Sequence, residues 1–300
     1  MREFVITPPD EGRTLYSLLR NAMPTAPRSF LRRLPRGGAV TLGGEAPDLE
    51  VRLHTGDVVR LRESLRVMEL LFAGPCPLDI LYDDEDVLVL NKAAGLAVHP
   101  TEDADADDLL TLAEPLAPAL GHRDAYHVIN RLDRWTSGVV LLAWGAVRAN
   151  AFAWRFQGRE VDKRYVALVA GQPPDRGTIR LPVDGRPSST GYAVLARGNG
   201  TALVLAHPRT GRRHQIRQHL ASIGHPLLGD RRYGGPPFPG VQGALLHAVF
   251  LAIPHPGTGA RLSVLAPVPR HFLDAMDAAG LPAGTHRAML DAAMEPAPPG

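Results

Sequence analysis

The stretch Asn130-Arg131-Leu132-Asp133-Arg134-Trp135-Thr136-Ser137-Gly138 runs directly into Val139-Val140-Leu141-Leu142-Ala143. A continuous apolar, β-branched run of this length reads as a buried strand, here expected over Gly138–Ala143. An acid flanked by two arginines therefore stands at the mouth of a buried strand. Such a carboxylate should have its pKa depressed and stay ionised. The alternative is a salt-bridge network in a loop.

Outward from that strand, the segments alternate irregularly. Upstream, Leu78–Tyr82 and Val87–Leu90 are expected strands, joined by the acidic turn Asp83–Asp86. A solvated loop, Glu102–Asp108, follows, and then a short helix, Leu109–Glu114, limited by Pro115 and Pro118. Downstream, helices are expected at Val147–Gln157 and Gln215–Ile223. Strands are expected at Lys163–Ala170, Thr190–Ala196, Ala202–His207, Leu245–Ala252 and Arg261–Leu265. This irregularity predicts an α+β chain with a mixed, mostly antiparallel sheet and a central cleft flanked by helices, not a doubly wound fold.

The first 66 residues read as a small separate α+β unit. Thr14–Ala22 has apolar residues at helical spacing (Leu15, Leu18, Leu19) and is ended by Pro24 and Pro27. Ser29 is a candidate N-cap for a second helix, Phe30–Leu34, which carries Arg32 and Arg33. Short β-like runs at Ala39–Leu42 and Glu50–Leu53 precede a strand at Val58–Leu61. The expected organisation is a helix pair on a small sheet over 1–66, a linker over 67–77, a main domain over 78–275, and a C-terminal helix with a disordered tail over 276–300.

The chain has 300 residues, with 33 basic against 31 acidic, a formal charge of +2. That sum conceals blocks of +3 over 1–66, −11 over 67–125 and +10 over 126–300. Such asymmetry points to a polyanionic partner, with the acidic block facing away from it. All the basic residues but Lys92 and Lys163 are Arg, the better phosphate fork. The lone Cys76 excludes an intramolecular disulfide and a Cys-cluster metal site, and fits a reducing cytoplasm. The opening MREFVITPPDEGR has no apolar h-region, so no signal peptide is expected, and no apolar run is long enough to span a membrane.

Two further polar clusters flank apolar runs. Arg209-Thr210-Gly211-Arg212-Arg213-His214-Gln215-Ile216-Arg217-Gln218-His219 leads into a helix and suits phosphate or carboxylate, or a plain solvated face. His214 and His219 are poorly spaced for a shared metal ion, so no metal is expected. Asn91-Lys92-Ala93-Ala94-Gly95-Leu96-Ala97-Val98-His99-Pro100 reads as a strand end followed by a glycine turn. P-loop, dinucleotide and Ser-elbow motifs are missing from the sequence.

Together these segments resemble the RluA-type RNA pseudouridine synthases. Asn130–Gly138 is similar to that family's His-Arg-Leu-Asp signature, which continues through Thr-Ser-Gly. Asn91–Pro100 resembles its Asn-Lys-Pro-Ala-Gly and Val-His-Pro motif. Arg164–Val169 is similar to its Lys/Arg-x-Tyr strand. Arg209–Leu220, Gly224–Asp230, Tyr233-Gly234, Leu246-His247-Ala248 and His255-Pro256 complete the series over about 78–270. The first 66 residues resemble a small RNA-binding domain named after a small-subunit ribosomal protein. The sequence departs from the family pattern at Asn130, Ala93 and Trp135.

The resemblance implies an enzyme that turns uridine into pseudouridine, breaking a C–N glycosidic bond and making a C–C bond to the same base. No cofactor is expected. Asp133 is expected to act at the sugar carbon or at the base, paired with Arg217. Tyr165 is expected to stack on the base near the departing proton, and Leu246, or its neighbour Leu245, to supply an apolar wall. Arg131 is expected to fill the space of a flipped uridine. Arg134, Arg209, Arg212, Arg213, Arg32 and Arg33 are expected RNA contacts, Lys92 is expected to have a structural or peripheral RNA-binding role, and His99, His225 and His247 read as structural. The implied partner of this monomer is structured RNA, ribosomal rather than transfer RNA. The rival readings are a non-catalytic RNA-binding or ribosome-assembly protein and a base-releasing glycosylase. The presence of Asp133, Tyr165 and Arg217 argues against the first.

Overall fold

The computed structural model describes residues 1–71, 78–100, 108–158 and 160–295. Cys76, most of the expected linker, residues 102–107 of the solvated loop and the tail beyond 295 lie outside them.

The N-terminal unit holds β1 (Arg2–Val5), α1 (Leu15–Ala22), α2 (Arg28–Arg36), β2 (Val40–Leu42), β3 (Val58–Leu61) and α3 (Leu65–Leu71). Its three strands pair antiparallel in the order β1-β3-β2. The Thr14 side chain caps α1 by accepting the Ser17 N–H. Helix α2 begins earlier than expected, entered through Pro27 with no side-chain cap at Ser29. The run Glu50–Leu53 is not a strand. The carbonyls of Leu49 and Val51 instead accept the N–H groups of Tyr16 and Leu15, which the first turn of α1 cannot satisfy internally. The unit also extends past residue 66, because α3 sinks Val67 and Leu70 into the same core as Leu15, Leu19 and Leu31.

The large sheet is built from β4 (Asp79–Asp83), β5 (Val87–Lys92), β6 (Tyr126–Val128), β7 (Ser137–Trp144), β8 (Asp162–Ala170), β9 (Arg176–Ile179), β10 (Thr190–Arg197), β11 (Thr201–Pro208), β12 (Leu246–Pro254) and β13 (Arg261–Leu265). Between them lie α4 (Leu109–Ala113), α5 (Leu116–Ala119), α6 (Gly145–Gln157) and α7 (Gln215–Ser222), with α8 (Arg270–Ala278) and α9 (Thr285–Met294) after them. The strand order is β4-β5-β7-β12-β8-β11-β10-β9, with β6 on β7 and β13 on β12. Among the described residues every pairing is antiparallel except β7 with β12, so the expected mixed, mostly antiparallel α+β sheet is what forms.

That parallel seam is tight. Strand β7 is buried along its whole length, its alternate residues entering separate cores on the two faces. At Gly138, φ is +112°, and a Cβ would lie 2.2 Å from the Ala248 carbonyl oxygen. Only glycine lets the two backbones approach there. Next to it, the Ser137 hydroxyl lies 2.9 Å from His247 Nδ1, and His247 Nε2 lies 3.3 Å from the Ala266 carbonyl. Burial holds the His247 pKa down at about 4, so its Nε2–H donates to Ala266 and its Nδ1 accepts from Ser137.

The two units are docked, not merely linked. Strand β4 is the edge of the large sheet, and the Asn21 side chain pairs with it as a strand would. Its Oδ1 accepts the Ile80 N–H at 2.9 Å and its Nδ2 donates to the Ile80 carbonyl at 2.8 Å. The Arg20 guanidinium grips Asp83 at 2.9 and 3.2 Å, with Tyr16 donating to the same carboxylate. Both charges are almost fully buried, at 1% and 5% side-chain exposure. Arg13 holds Asp79 at 2.6 and 3.0 Å. Within the acidic turn only Glu85 is fully exposed, and the aspartates are engaged. Asp83 and Asp79 bind the N-terminal unit, Asp84 accepts the backbone of Asp86 and Val87, and Asp86 meets Arg148 at 2.6 Å.

The expected boundary at 275 falls inside α8. Phe272, Met276, Met289 and Leu290 share one core with Val166, Leu168 and Phe250, so α8 and α9 cover the sheet and are no appendage.

Candidate active site

A cleft of about 930 Å³ opens at the start of β7 and β12, where the parallel seam begins. Four segments that are remote in sequence meet there. The loop Arg131–Thr136 precedes β7, Tyr165 and Lys163 project from β8, Leu246 begins β12, and Thr210–Arg217 enters α7. On a strand, alternate residues share a face, so Lys163 and Tyr165 face the cleft together. Arg164 turns away to hold Asp162 at 2.7 Å.

The carboxylate of Asp133 has one principal partner. Arg217 Nη1 donates to its Oδ2 at 3.0 Å. The flanking Arg131 and Arg134, which sequence proximity suggested, are not that partner. Arg217 is itself clamped by Asp230, with Nε and Nη2 each 2.7 Å from its two oxygens. Burial disfavours the Arg217 charge, but the hydrogen bonds to Asp230 and Asp133 outweigh it and raise its pKa. The guanidinium also lies over the Tyr233 ring, 5.0 Å from its centroid.

On the other carboxylate oxygen sits His214. Its Nε2 is 3.6 Å from Asp133 Oδ1, and its Nδ1 is 2.9 Å from the Tyr233 hydroxyl. The residue is in the left-handed region at φ 54°, a strained position for a non-glycine at the start of α7. Burial lowers its pKa, the Asp133 charge opposing and Arg217 and Arg232 reinforcing the shift. Asp230, His214, Tyr233 and Lys163 were not singled out from the sequence as site residues. The signal available was the polar Gly229-Asp230 directly after the apolar Leu227-Leu228, and the two-residue spacing of Lys163 from Tyr165.

Tyr165 faces the cleft, and burial together with the Asp133 charge raises its pKa well above the ordinary phenol value. Leu246 lines the cleft, whereas Leu245 faces the opposite core beside Leu228 and Val249. Arg131 lies exposed at the rim and makes no ion pair among the described residues. Arg134 is also exposed and donates to the Gly95 carbonyl at 2.9 Å. Arg212 and Arg213 line the cleft, and the Arg212 Nε is buried with no partner among the described residues. Arg209 is exposed outside it.

Lys92 is not an available RNA contact. It is 1% exposed, and its Nζ donates to the carbonyls of Ala93, Leu96 and Arg134 at 2.8, 2.7 and 3.0 Å. It ties the Gly95 turn to the Asp133 loop. Burial pushes its pKa down to about 7 while Asp133 pulls it up, and three carbonyl acceptors also favour the ammonium. Asn130 likewise has a structural role, since its amide bonds the Val139 carbonyl and the Leu141 N–H and fixes the chain beside β7. Trp135 lies against Gly95 and Gly243, where Cβ atoms would come within 3.2 and 2.3 Å of the indole side chain.

In the N-terminal unit, Arg32 and Arg33 are exposed. Arg32, with Arg28, Arg52 and Arg261, lines a separate groove of about 330 Å³ where that unit meets β13. The described residues hold one cluster with metal-ligand geometry, Asp84, Asp86 and His255. Its imidazole Nδ1 accepts the N–H groups of Gly257 and Thr258 at 3.2 Å, and Asp84 is filled by backbone donors. The cluster therefore acts as a clasp on the β12–β13 turn.

Comparison with known proteins gives a consistent result. A family model described as RNA pseudouridylate synthase matches residues 86–222. The ribosomal large subunit pseudouridine synthase C of Vibrio cholerae serotype O1 is 31% identical over 297 residues, covering 88% of this chain and 92% of that protein. The ribosomal large subunit pseudouridine synthase D of Neisseria meningitidis serogroup A is 30% identical, covering 91% of this chain and 80% of that protein. Among solved structures, human RNA pseudouridylate synthase domain containing 1 superposes with a TM-score of 0.57 at 27% identity, over 75% of this chain and 98% of that one.

Proposed function

The chain belongs to the RNA pseudouridylate synthase family, and from that premise we propose that it isomerises uridines of large-subunit ribosomal RNA, with Asp133 as the catalytic carboxylate. One observation carries the reading: Asp133 is held by Arg217 across from Tyr165 and Leu246, in a cleft rimmed by arginines.

A uridine within a stem cannot reach Asp133 and must first be flipped out, at about a few kcal/mol. Arg131, at the rim, fills the vacated stack. Arg212 and Arg213 hold phosphates beside the entry. Tyr165 and Leu246 sandwich the base, so that it stays in place after the C1′–N1 bond breaks and can turn to present C5 to the sugar. Asp133 stabilises or captures the electron-poor fragment, and Arg217 keeps it aimed. The C5 proton leaves last, to solvent beside the Tyr165 hydroxyl at the base edge, and N1 takes up a proton, so the net change is an isomerisation. Arg32 and Arg33 add RNA contacts from the N-terminal unit, and the enzyme works as a monomer in the cytoplasm. Among the described residues no helix is long and apolar enough to cross a membrane.

Mapping pseudouridines in total RNA from cells with and without the gene tests the substrate. The expected result is loss of one or a few sites in large-subunit ribosomal RNA. Loss confined to transfer RNA, or no loss at all, would overturn the assignment.

A further inference from the structure

A second cavity, of about 490 Å³, lies behind the Asp133–Arg217 pair. It shares Asp133, Trp135, Thr136, Arg217 and Arg232 with the main cleft, so the two spaces adjoin at the carboxylate. The base rearrangement uses Tyr165 and Leu246, and neither lines this second space. Its own walls have a distinct chemistry. Trp135 and Phe238 offer flat apolar surface, and Gln242 is exposed at its edge. Arg231 and Arg232 are exposed and make no ion pair among the described residues.

Aromatic surface, an amide and unpaired guanidinium groups are what an unstacked nucleotide requires: a stacking partner, a donor–acceptor pair for the base edge, and a cation for the phosphate. The geometry points to this cavity as the seat of a second unstacked nucleotide, the immediate neighbour of the target uridine. Phe238 and Trp135 stack its base, Gln242 reads its edge, and Arg231 with Arg232 holds its phosphate. Because the two spaces share Asp133 and Arg217 as a common wall, a strand whose target base sits at Tyr165 leads past Asp133 into this one. The inference rests on Asp133 acting on a uridine in the main cleft, and it makes the loop carrying Phe238 and Gln242 a determinant of sequence context.

The test uses an RNA hairpin carrying the mapped target uridine, with each neighbouring nucleotide in turn intact or abasic. Tritium release gives kcat/KM for wild type, Phe238→Ala and Gln242→Ala. An abasic residue at one neighbouring position should lower the wild-type value about five- to a hundredfold, the range of one base–aromatic stack. Phe238→Ala should lose a similar factor on intact RNA and then lose little more on the abasic RNA, because both changes remove one contact. Gln242, being exposed, can be replaced without disturbing the core, and Gln242→Ala should flatten the preference among the four bases at that same position. Independent, multiplying losses in Phe238→Ala and an unchanged base preference in Gln242→Ala would overturn the inference while leaving the enzyme's function intact. Failure of the wild type to turn over its mapped RNA would overturn the functional reading as well.

Discussion

At the scale of single residues, the site is a chain of charges in which each member orients the next. Asp230 fixes both Nε and Nη2 of Arg217, leaving Nη1 for Asp133. Because Asp230 is nearly fully buried, its loss cannot be compensated by water. Asp230→Asn should therefore release the guanidinium and lower kcat by about a hundredfold, the usual cost of misplacing a reacting group, with RNA affinity little changed. Single-turnover tritium release alongside a binding isotherm checks this. An unchanged rate would mean that Asp133 does not depend on Arg217 for its aim. Asp133, Tyr165 and Arg217 were legible in the sequence through motif resemblance, since each lies in a recognisable run. The clamp by Asp230 was not, because a contact between a helix and a loop 13 residues on follows neither helical nor strand periodicity. For Lys92 a structural and a peripheral RNA role both stayed open in the sequence, for a related reason. A lysine after an apolar strand reads as a surface cation until the three carbonyls that enclose it are brought together by the fold.

At the scale of elements, the seam between β7 and β12 positions the loop that carries Asp133. The strands were readable from their apolar content, and the stretch Gly138–Ala143 is buried as its composition requires. Their parallel pairing was not readable, because Ser137 and His247 are 110 residues apart and nothing local specifies which strand becomes the neighbour. The seam carries a pH signature. The unfolded His247 should titrate near 6.5 and the folded one near 4. Between those values the unfolded chain binds more protons, so stability is complete above about pH 6.5 and falls as the pH drops toward 4, by up to about 3 kcal/mol. Denaturant unfolding across that window should show this slope in the wild type and a shallower one in His247→Gln. Equal slopes would exclude His247 as the source.

At the scale of the whole molecule, the near-neutral charge has an internal explanation. Within the acidic block, Asp79 and Asp83 pair with arginines of the N-terminal unit and Asp86 pairs with Arg148, while the cleft arginines 131, 212 and 213 make no ion pair among the described residues. Asp83→Ala would leave the buried Arg20 charge without its carboxylate and should cost about 3–5 kcal/mol. It should also speed hydrogen exchange at Ile80, whose N–H is held by Asn21 across the same junction. Unaltered exchange and stability would show that the junction does not hold in solution. This docking was invisible in the sequence because the partners on α1 are polar residues between the apolar positions that define the helix.

The central claim, that one carboxylate in an RNA cleft performs the isomerisation, is tested most directly by Asp133→Asn. The measurement is tritium release from 5-tritiated uridine in large-subunit ribosomal RNA, with RNA binding followed in parallel. Release should be abolished while binding persists. Release at the wild-type rate would contradict the claim.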